Sequence, residues 1–317
     1  MATIGEGDLF MPLLPMSVLL QKANSEGYAV AAFNTNNMEI TQGIIEGAVA
    51  ERSPVIIQCS EGALEYAGVD MVVAMVKAAA GNVDIPVALH LDHGKRFDNI
   101  IRCIRAGFTS VMIDGSHLPL DENIALTRKV VDVAHAAGVS VEAELGRIAG
   151  IEDHVSTSER EAILTDPAEA ERFVAETGVD ALAVAIGTAH GPRKFKGEPK
   201  LELDRIREIK SRVGIPLVMH GASAVPKDVI EKAVKYGAQI EGASGVPDEA
   251  VRQAVANGIN KVNIDTDMRL AMIAAMRETL YNNPDATDPR KILGPARAAV
   301  TSVVRHKISV LGSAGRA

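Results

Sequence analysis

The chain has no tryptophan, and only 6 Phe and 4 Tyr among 317 residues. Its core must therefore be built from Val, Ile, Leu and Ala, the composition of parallel strands buried on both faces. Cysteine is almost as scarce. Cys59 and Cys103 are too few and too far apart for a disulfide scaffold or for a thiolate zinc site, which needs clustered pairs. Both read as reduced core thiols of a cytosolic protein. No apolar run reaches the roughly 18–20 residues of a membrane span. The N-terminus also lacks the basic start and long apolar stretch of a signal peptide, so the expected location is cytoplasmic. Basic charge is not in excess either. A net charge of −8 with no basic-aromatic patch argues against nucleic acid as a partner. It does not exclude an anionic substrate, because local lysines and a metal set the field inside a pocket.

What is present is a 47% hydrophobic chain of a length common for one α/β barrel. Short apolar, β-branched runs predict strands at Ala29–Asn34, Pro54–Ser60, Pro86–Leu91, Ser110–Asp114, Ser140–Leu145, Ala181–Gly187, Pro216–Met219 and Lys261–Asp265. Amphipathic helical patterns lie between them, as at Met38–Arg52, Asp121–Ala137 and Pro167–Thr177. Strands alternating with helices mean βαβ units and a parallel sheet, and a count of eight means closure. An open doubly wound sheet would carry a glycine-rich loop after its first strand, and Asn34-Thr35-Asn36-Asn37 is not one. The expectation is a single (β/α)8 barrel of the TIM type over residues 1–317. Three segments exceed the plain barrel: a leading helix over residues 11–25 that plugs the bottom, an extra helix before strand eight (Pro226–Tyr236 and Pro247–Asn257 where one is needed), and a C-terminal helical extension over 284–317 suited to oligomer contacts.

Nearly every predicted strand ends in a polar group: Asn34, Ser60, Asp92 with His93, Asp114, Glu144, His190, His220, and Asn263 with Asp265. In such barrels that rim holds the active site. Three of these groups are His-Gly pairs, at 93–94, 190–191 and 220–221. Three imidazoles on neighbouring strand ends can close on one divalent metal. A nitrogen-rich set with an open position suits catalytic Zn²⁺, with Co²⁺ or Fe²⁺ as alternatives. Strand alternation gives His90 the inward parity and by itself prefers His90 as the ligand, whereas His93 lies past the regular strand, where parity no longer binds. Asp92 is placed either as a general acid/base on a substrate hydroxyl or as an orienting carboxylate. Asp114 and Glu144 either satisfy barrel polar groups or form a second, weaker metal position.

Two loops carry further chemistry. The stretch Gly146–Asp153 has glycine hinges and two acids, so Glu152 can swing in to take a proton. The stretch Gly187–Pro199 brings Lys194 and Lys196 near His190, where a lysine can meet a phosphate as a point charge. Gly221-Ala-Ser223 after strand seven, with Asn263-Ile-Asp265-Thr266 after strand eight, occupies the usual phosphate corner of these barrels.

At these residues the chain closely resembles the class II, metal-dependent fructose-bisphosphate aldolases, in their short form. The matching segments run in family order from Ala32-Phe33-Asn34 and Ser60-Glu61-Gly62 through His90-Leu-Asp-His-Gly94, Val111–Asp114, Glu142–Gly146, Gly187–Gly191, Lys194–Pro199 and His220–Ser223 to Asn263–Asp267. The resemblance selects His93 over His90 and implies zinc on His93, His190 and His220, with Asp114 and Glu144 as secondary metal ligands. It further implies Asp92 as acid/base at the C4 oxygen and Glu152 as the mobile-loop acid that handles the proton on the dihydroxyacetone-phosphate carbon. Gly191, Gly221, Ser223, Asp265 and Thr266 match positions that hold a phosphate or its neighbouring hydroxyls, with Asn34, Asn263 and Ser60 alongside and Lys194 as a further phosphate contact. Arg290 matches an arginine that reaches the far phosphate from a neighbouring subunit, which implies a homodimer or homotetramer. A monovalent cation, Na⁺ or K⁺, near Gly191 and Gly221 is also implied. The implied activity is reversible cleavage of fructose 1,6-bisphosphate to dihydroxyacetone phosphate and glyceraldehyde 3-phosphate through a metal-stabilised enediolate. Tagatose 1,6-bisphosphate or a related ketose phosphate is the alternative substrate.

Three rival readings are weaker on the residues. A Schiff-base aldolase needs a desolvated lysine facing into the barrel at the rim, and Lys261 has inward parity but lies toward the start of strand eight. A barrel hydrolase often has His-x-His on strand one, which Ala29–Asn34 lacks. A non-catalytic sugar-phosphate binder should have lost Asp92 or a zinc histidine.

Overall fold

Runs such as Val55-Ile-Ile-Gln-Cys-Ser60 become strands because β-branched side chains pack well on a pleated surface, and each is followed by a helix, three of them with a side-chain N-cap. Helix Pro167–Thr177 is one of the three. The Asp166 carboxylate caps it by accepting from Ala168 and Glu169 N–H, Pro167 opens it, and Gly178 closes it in the left-handed conformation. The computed structural model describes residues 13–152, 155–157, 163–190, 201–240 and 245–317, with only the backbone of 149–152, 155–157 and 190.

The described strands are β1 (Val30–Asn34), β2 (Val55–Ser60), β3 (Val87–Gly94), β4 (Ser110–Ile113), β5 (Ser140–Leu145), β6 (Ala149–Glu152), β7 (Val155–Thr157), β8 (Ala181–Val184), β9 (Ala189–His190), β10 (Leu217–Met219) and β11 (Ile259–Ile264). Eight of them close a parallel barrel in the order β1-β2-β3-β4-β5-β8-β10-β11, the (β/α)8 fold expected from the sequence. The remaining three form a small sheet in which β6 pairs antiparallel with β7 and parallel with β9.

Two predicted strand ends move by three residues. The sixth barrel strand stops at Val184 rather than Gly187, because Thr165 takes over the hydrogen bonds of Ala185, accepting from its N–H at 2.8 Å and donating its own N–H to its carbonyl at 3.1 Å. The third runs on to Gly94 rather than ending at Leu91, with a register shift against β4 between Leu91 and Gly94.

The barrel interior is layered. At the bottom, small and apolar side chains (Val30, Ala32, Ile56, Ala88, Ala181, Ala183 and Val218) meet Met16, Leu19, Leu20 and Ala23 of helix Met16–Glu26, which plugs that end as expected. Above them lies a polar layer that includes Gln58, His90, Ser110, Glu142 and Lys261, all buried. The groups at the strand C-termini form the top. Opposite-parity residues such as Ile57, Leu89, Val141 and Leu182 pack outward under the helices. The two helices expected before the last strand are present as Lys227–Lys235 and Asp248–Ala256. No helix among the described residues is long and apolar enough to cross a membrane.

The long helix Pro289–Leu311 packs along helix Met38–Ala50. The two run in the same direction, since Gly43 faces Val300 and Gly47 faces Val304. A Cβ at Gly47 would meet the Val304 Cγ1 at 2.6 Å and the Thr301 carbonyl at 3.1 Å, so only glycine permits this approach. Gly47→Val should therefore cost about 1–3 kcal/mol by overpacking. Thermal unfolding should register it as a lower Tm; an unchanged Tm would mean that the two helices are not in this contact.

Candidate metal centre and active site

The shape of the site begins with the irregular end of β3. His93 adopts φ 48°, a left-handed conformation uncommon outside glycine. The register shift across Leu91–Gly94 breaks the alternation, so Asp92 and His93, though consecutive, belong to one cluster at the barrel mouth. His90 keeps the inward parity but sits one layer lower. Its Nδ1 lies 2.8 Å from the Ser110 hydroxyl and its Nε2 3.5 Å from Glu142. Burial, followed by the charge of Lys261, pushes its pKa down to about 3. Parity thus reports correctly on His90 and fails for His93, and the bulge is the reason.

Donor atoms of Asp92, His93 and His220 lie within 4.8 Å of one another, as do those of His93, Asp114 and Glu144. All five residues are buried, and the rings of His93 and His220 meet edge to face with centroids 4.6 Å apart. Both imidazoles are engaged by carboxylates, His220 on both of its ring nitrogens. His93 Nδ1 is 3.2 Å from Asp114, and His220 Nε2 is 2.8 Å from Glu142. A tautomer with its hydrogen on His93 Nδ1 and on His220 Nε2 would offer a metal His93 Nε2 and His220 Nδ1, the latter 3.1 Å from Glu144. Without a metal these carboxylates hold protons on the rings. Burial works against the charged form of His220, but Glu142 and Glu144 outweigh it and hold the pKa up to about 9. His93 is raised well above its ordinary value, burial again being overcome by Asp92, Asp114 and Glu144. Burial would raise Asp114, but its bonds to His93 and Ser116 hold it below the usual carboxylate range.

Asp92 is held on both oxygens. Asn263 Nδ2 donates to Oδ1 at 3.1 Å, while Asn34 Nδ2 and Gln58 Nε2 donate to Oδ2 at 2.9 and 3.2 Å. Gln58 also donates to the Asn34 carbonyl at 2.7 Å, which sets the orientation of that amide. Below this sits Lys261, fully buried, 2.9 Å from Glu142 and 2.7 Å from Asn263 Oδ1. Glu142 is held well below the usual carboxylate range by Lys261 and His220, against the effect of burial. The lysine that a Schiff-base mechanism would require is thus tied into the floor of the site.

Gly221, Ser223 and the start of helix Thr266–Asn282, to which the sequence assigns a phosphate, lie together at one corner of the barrel mouth. Gly221 has φ +63°, and a Cβ there would meet the Ala189 carbonyl at 2.6 Å, so glycine lets the backbone before His190 pass close to that after His220. Ser223 Oγ accepts from the Asp265 N–H at 3.4 Å, and Asp265 pairs with Arg269 at 2.7 Å. Thr266 begins the helix, whose N-terminal N–H groups favour an anion. Ser60 caps helix Glu61–Ala67 by accepting from Ala63 N–H at 3.3 Å and lines the β2 end of the mouth.

His190 is placed by its backbone, which pairs with Gly150, so the strand carrying it is tied to the segment carrying Glu152. The side chains of His190 and Glu152, together with Gly191 and Lys194, lie outside the described residues. Arg290 is 90% exposed and paired with Asp288 at 2.8 Å, away from the cluster. Sequence reasoning assigned no role to three residues that shape the site. Gln58 and Glu142 each stand two positions before a recognised group (Ser60, Glu144), and strand parity was the signal that pointed to them. Asp267 accepts from Ala224 and Val225 N–H at 3.0 and 2.6 Å, holding the loop after Ser223 with Val225 at φ 52°. Nothing in the periodicity announced it.

Two imidazoles with aspartate and glutamate oxygens, buried and convergent, form a donor set that fits a divalent ion of intermediate softness. A closed parallel barrel with such a set at its strand C-termini defines a metal-dependent barrel enzyme. The family model described as fructose-bisphosphate aldolase class-II matches residues 15–240 and 239–316, and the chain belongs to that family. It is 52% identical over 299 residues to a fructose-bisphosphate aldolase of Thermus caldophilus, covering 94% of this chain and 98% of the relative. It is 48% identical over 310 residues to one of Giardia intestinalis, covering 97% and 95%. The crystal structure of the YdjI aldolase from Escherichia coli K12 superposes with a TM-score of 0.78 at 31% identity, covering 96% of this chain and 99% of that one.

Proposed function

We propose that this protein is a zinc-dependent aldolase that reversibly cleaves fructose 1,6-bisphosphate to dihydroxyacetone phosphate and glyceraldehyde 3-phosphate. The observation that carries the reading is the adjacency of Asp92 and His93: a proton-transfer carboxylate and a metal-binding imidazole share one cluster with His220. His93, His190 and His220 hold the metal, with Asp114 and Glu144 available as secondary ligands. Zn²⁺ held there, or in its place Co²⁺ or Fe²⁺, would supply Lewis-acid chemistry toward the substrate C2 carbonyl.

In cleavage, Asp92 takes the proton from the C4 hydroxyl as the C3–C4 bond breaks and the aldehyde product forms. Glu152 then delivers a proton to C3 of the three-carbon fragment, and condensation reverses both transfers. Asn34, Gln58 and Asn263 keep the Asp92 carboxylate fixed for this exchange. Gly191, Gly221, Ser223, Asp265, Thr266 and Lys194 receive one phosphate and its neighbouring hydroxyls, with Ser60 and Asn263 alongside. A Na⁺ or K⁺ ion, when bound, would be held near Gly191 and Gly221. Anchoring two phosphates remote from the breaking bond would orient the reacting carbons at the barrel mouth.

Arg290 serves a neighbouring subunit in a homodimer or homotetramer. Val300 is level with Gly43, so the first two turns of helix Pro289–Leu311 extend roughly 9 Å past the start of helix Met38–Ala50, at 1.5 Å per residue. Arg290 on that overhang is exposed and available to a second molecule. The two buried, unpaired cysteines suit a cytoplasmic location.

The test is turnover of fructose and tagatose 1,6-bisphosphates side by side on zinc-loaded protein, before and after chelation. Fructose 1,6-bisphosphate should be preferred, with activity lost to chelator and restored by zinc. Turnover that survives chelation, or a covalent adduct trapped by borohydride, would contradict the reading.

A further inference from the structure

We propose that Lys261 is a positioning residue that fixes the metal ligand His220 and the acid/base Asp92 from a single point, resting on the roles assigned to those two residues above. The chain of contacts is continuous. His220 Nε2–H donates to Glu142 Oε1 at 2.8 Å, and Lys261 Nζ lies 2.9 Å from Glu142 Oε2. On its other side Lys261 donates to Asn263 Oδ1 at 2.7 Å, and Asn263 Nδ2 donates to Asp92 Oδ1 at 3.1 Å.

The chemistry of each link leaves one arrangement. An ammonium has three donors and no acceptor, so the Asn263 carbonyl must face it and the amide nitrogen must face Asp92. Were the amide flipped, its carbonyl would oppose the Asp92 carboxylate. On the other arm, Glu142 receives both the lysine and the imidazole, which commits His220 to the tautomer whose Nδ1 faces the metal position. All the linking side chains are buried, so no water competes for these bonds. Lys261 touches neither the substrate position nor the metal position and acts through Glu142 and Asn263.

Two full-length variants separate the arms, Lys261→Met and the double Lys261→Met/Glu142→Gln. Zinc affinity is read by competition with a chromophoric chelator, without turnover, and kcat and KM are read on metal-saturated protein with fructose 1,6-bisphosphate. Loss of contacts that orient a ligand costs about 10–100-fold in metal affinity or activity. Lys261→Met should lose that much in zinc affinity and a similar factor in kcat, with KM within about threefold of the parent. In the double variant the buried charge is gone but the substituted amide still accepts from His220. Zinc affinity should then return to within about threefold while kcat stays low, because Asn263 still lacks its anchor.

The proposal is overturned if Lys261→Met keeps both properties. It is also overturned if kcat recovers together with zinc affinity in the double variant, which would reduce Lys261 to a counter-charge. Should Lys261→Met fail to fold, the double variant, free of an unpaired buried charge, reads the Asn263 arm by itself. Should the parent protein cleave no sugar bisphosphate, the functional reading fails, and the chelator competition still decides the Glu142 arm.

Discussion

Asp92→Asn should lower kcat for fructose 1,6-bisphosphate cleavage by about 10²–10⁴-fold, the usual worth of a positioned general acid or base. The asparagine matches the size of the native side chain but cannot accept the C4 hydroxyl proton. It also puts an amide NH₂ where Asp92 now accepts from Asn263 on one side and from Asn34 and Gln58 on the other. A donor would then face a donor, so the side chain is both chemically mute and poorly held. Metal content should not change, because His93, His190, His220 and the carboxylates Asp114, Glu142 and Glu144 are untouched. Steady-state kinetics and metal analysis on the same preparation check both halves. A kcat within about threefold of the parent would remove Asp92 from the proton-transfer role.

His220→Ala should remove the metal and with it nearly all activity. Lewis-acid stabilisation is worth several kcal/mol, and 4 kcal/mol corresponds to about 10³-fold in rate. The substitution leaves Glu142 facing Lys261 and His90 and deprives Glu144 of its 3.1 Å neighbour, so the remaining donors no longer converge from that side. The same geometry fixes how metal binding responds to pH in the unsubstituted protein. With His220 held up to about 9 by Glu142 and Glu144, the metal must displace a proton at neutral pH. Affinity should therefore rise between pH 6 and 8, by about tenfold per unit for each proton displaced, and level off only above the raised pKa. Chelator competition across that range measures the slope. A flat profile would mean that no protonated imidazole gives way to the ion.

The fold was legible because the signals that encode it are local and redundant. Eight apolar runs, each followed by a helix, leave few ways to arrange the chain, and the apolar face of Met16–Glu26 buries Leu19 and Leu20 at the barrel bottom. The polar strand ends were legible for the same reason, since parity and position mark Asn34, Ser60, Glu144 and Asn263 one strand at a time.

What escaped the sequence was anything that depends on a break in periodicity or on a contact across the barrel. Alternation favoured His90, and only the left-handed backbone at His93 puts the next imidazole into the cluster. The resemblance to known aldolases supplied that choice; spacing did not. Glu142 and Lys261 carry the right parity, yet their meeting joins β5 to β11, strands that are not neighbours in the barrel. Asp267 lies beyond the strands altogether, on a helix, and reaches back to a loop some 40 residues earlier. Such links are tertiary facts with no periodic trace.

The most direct test of the metal centre is an anomalous difference map from a crystal of zinc-loaded protein, recorded on both sides of the zinc absorption edge. The account predicts one dominant peak at the barrel mouth, about 2.0–2.1 Å from a nitrogen of each of His93, His190 and His220. A dominant peak that leaves any one of these three imidazoles out of its coordination sphere would contradict it.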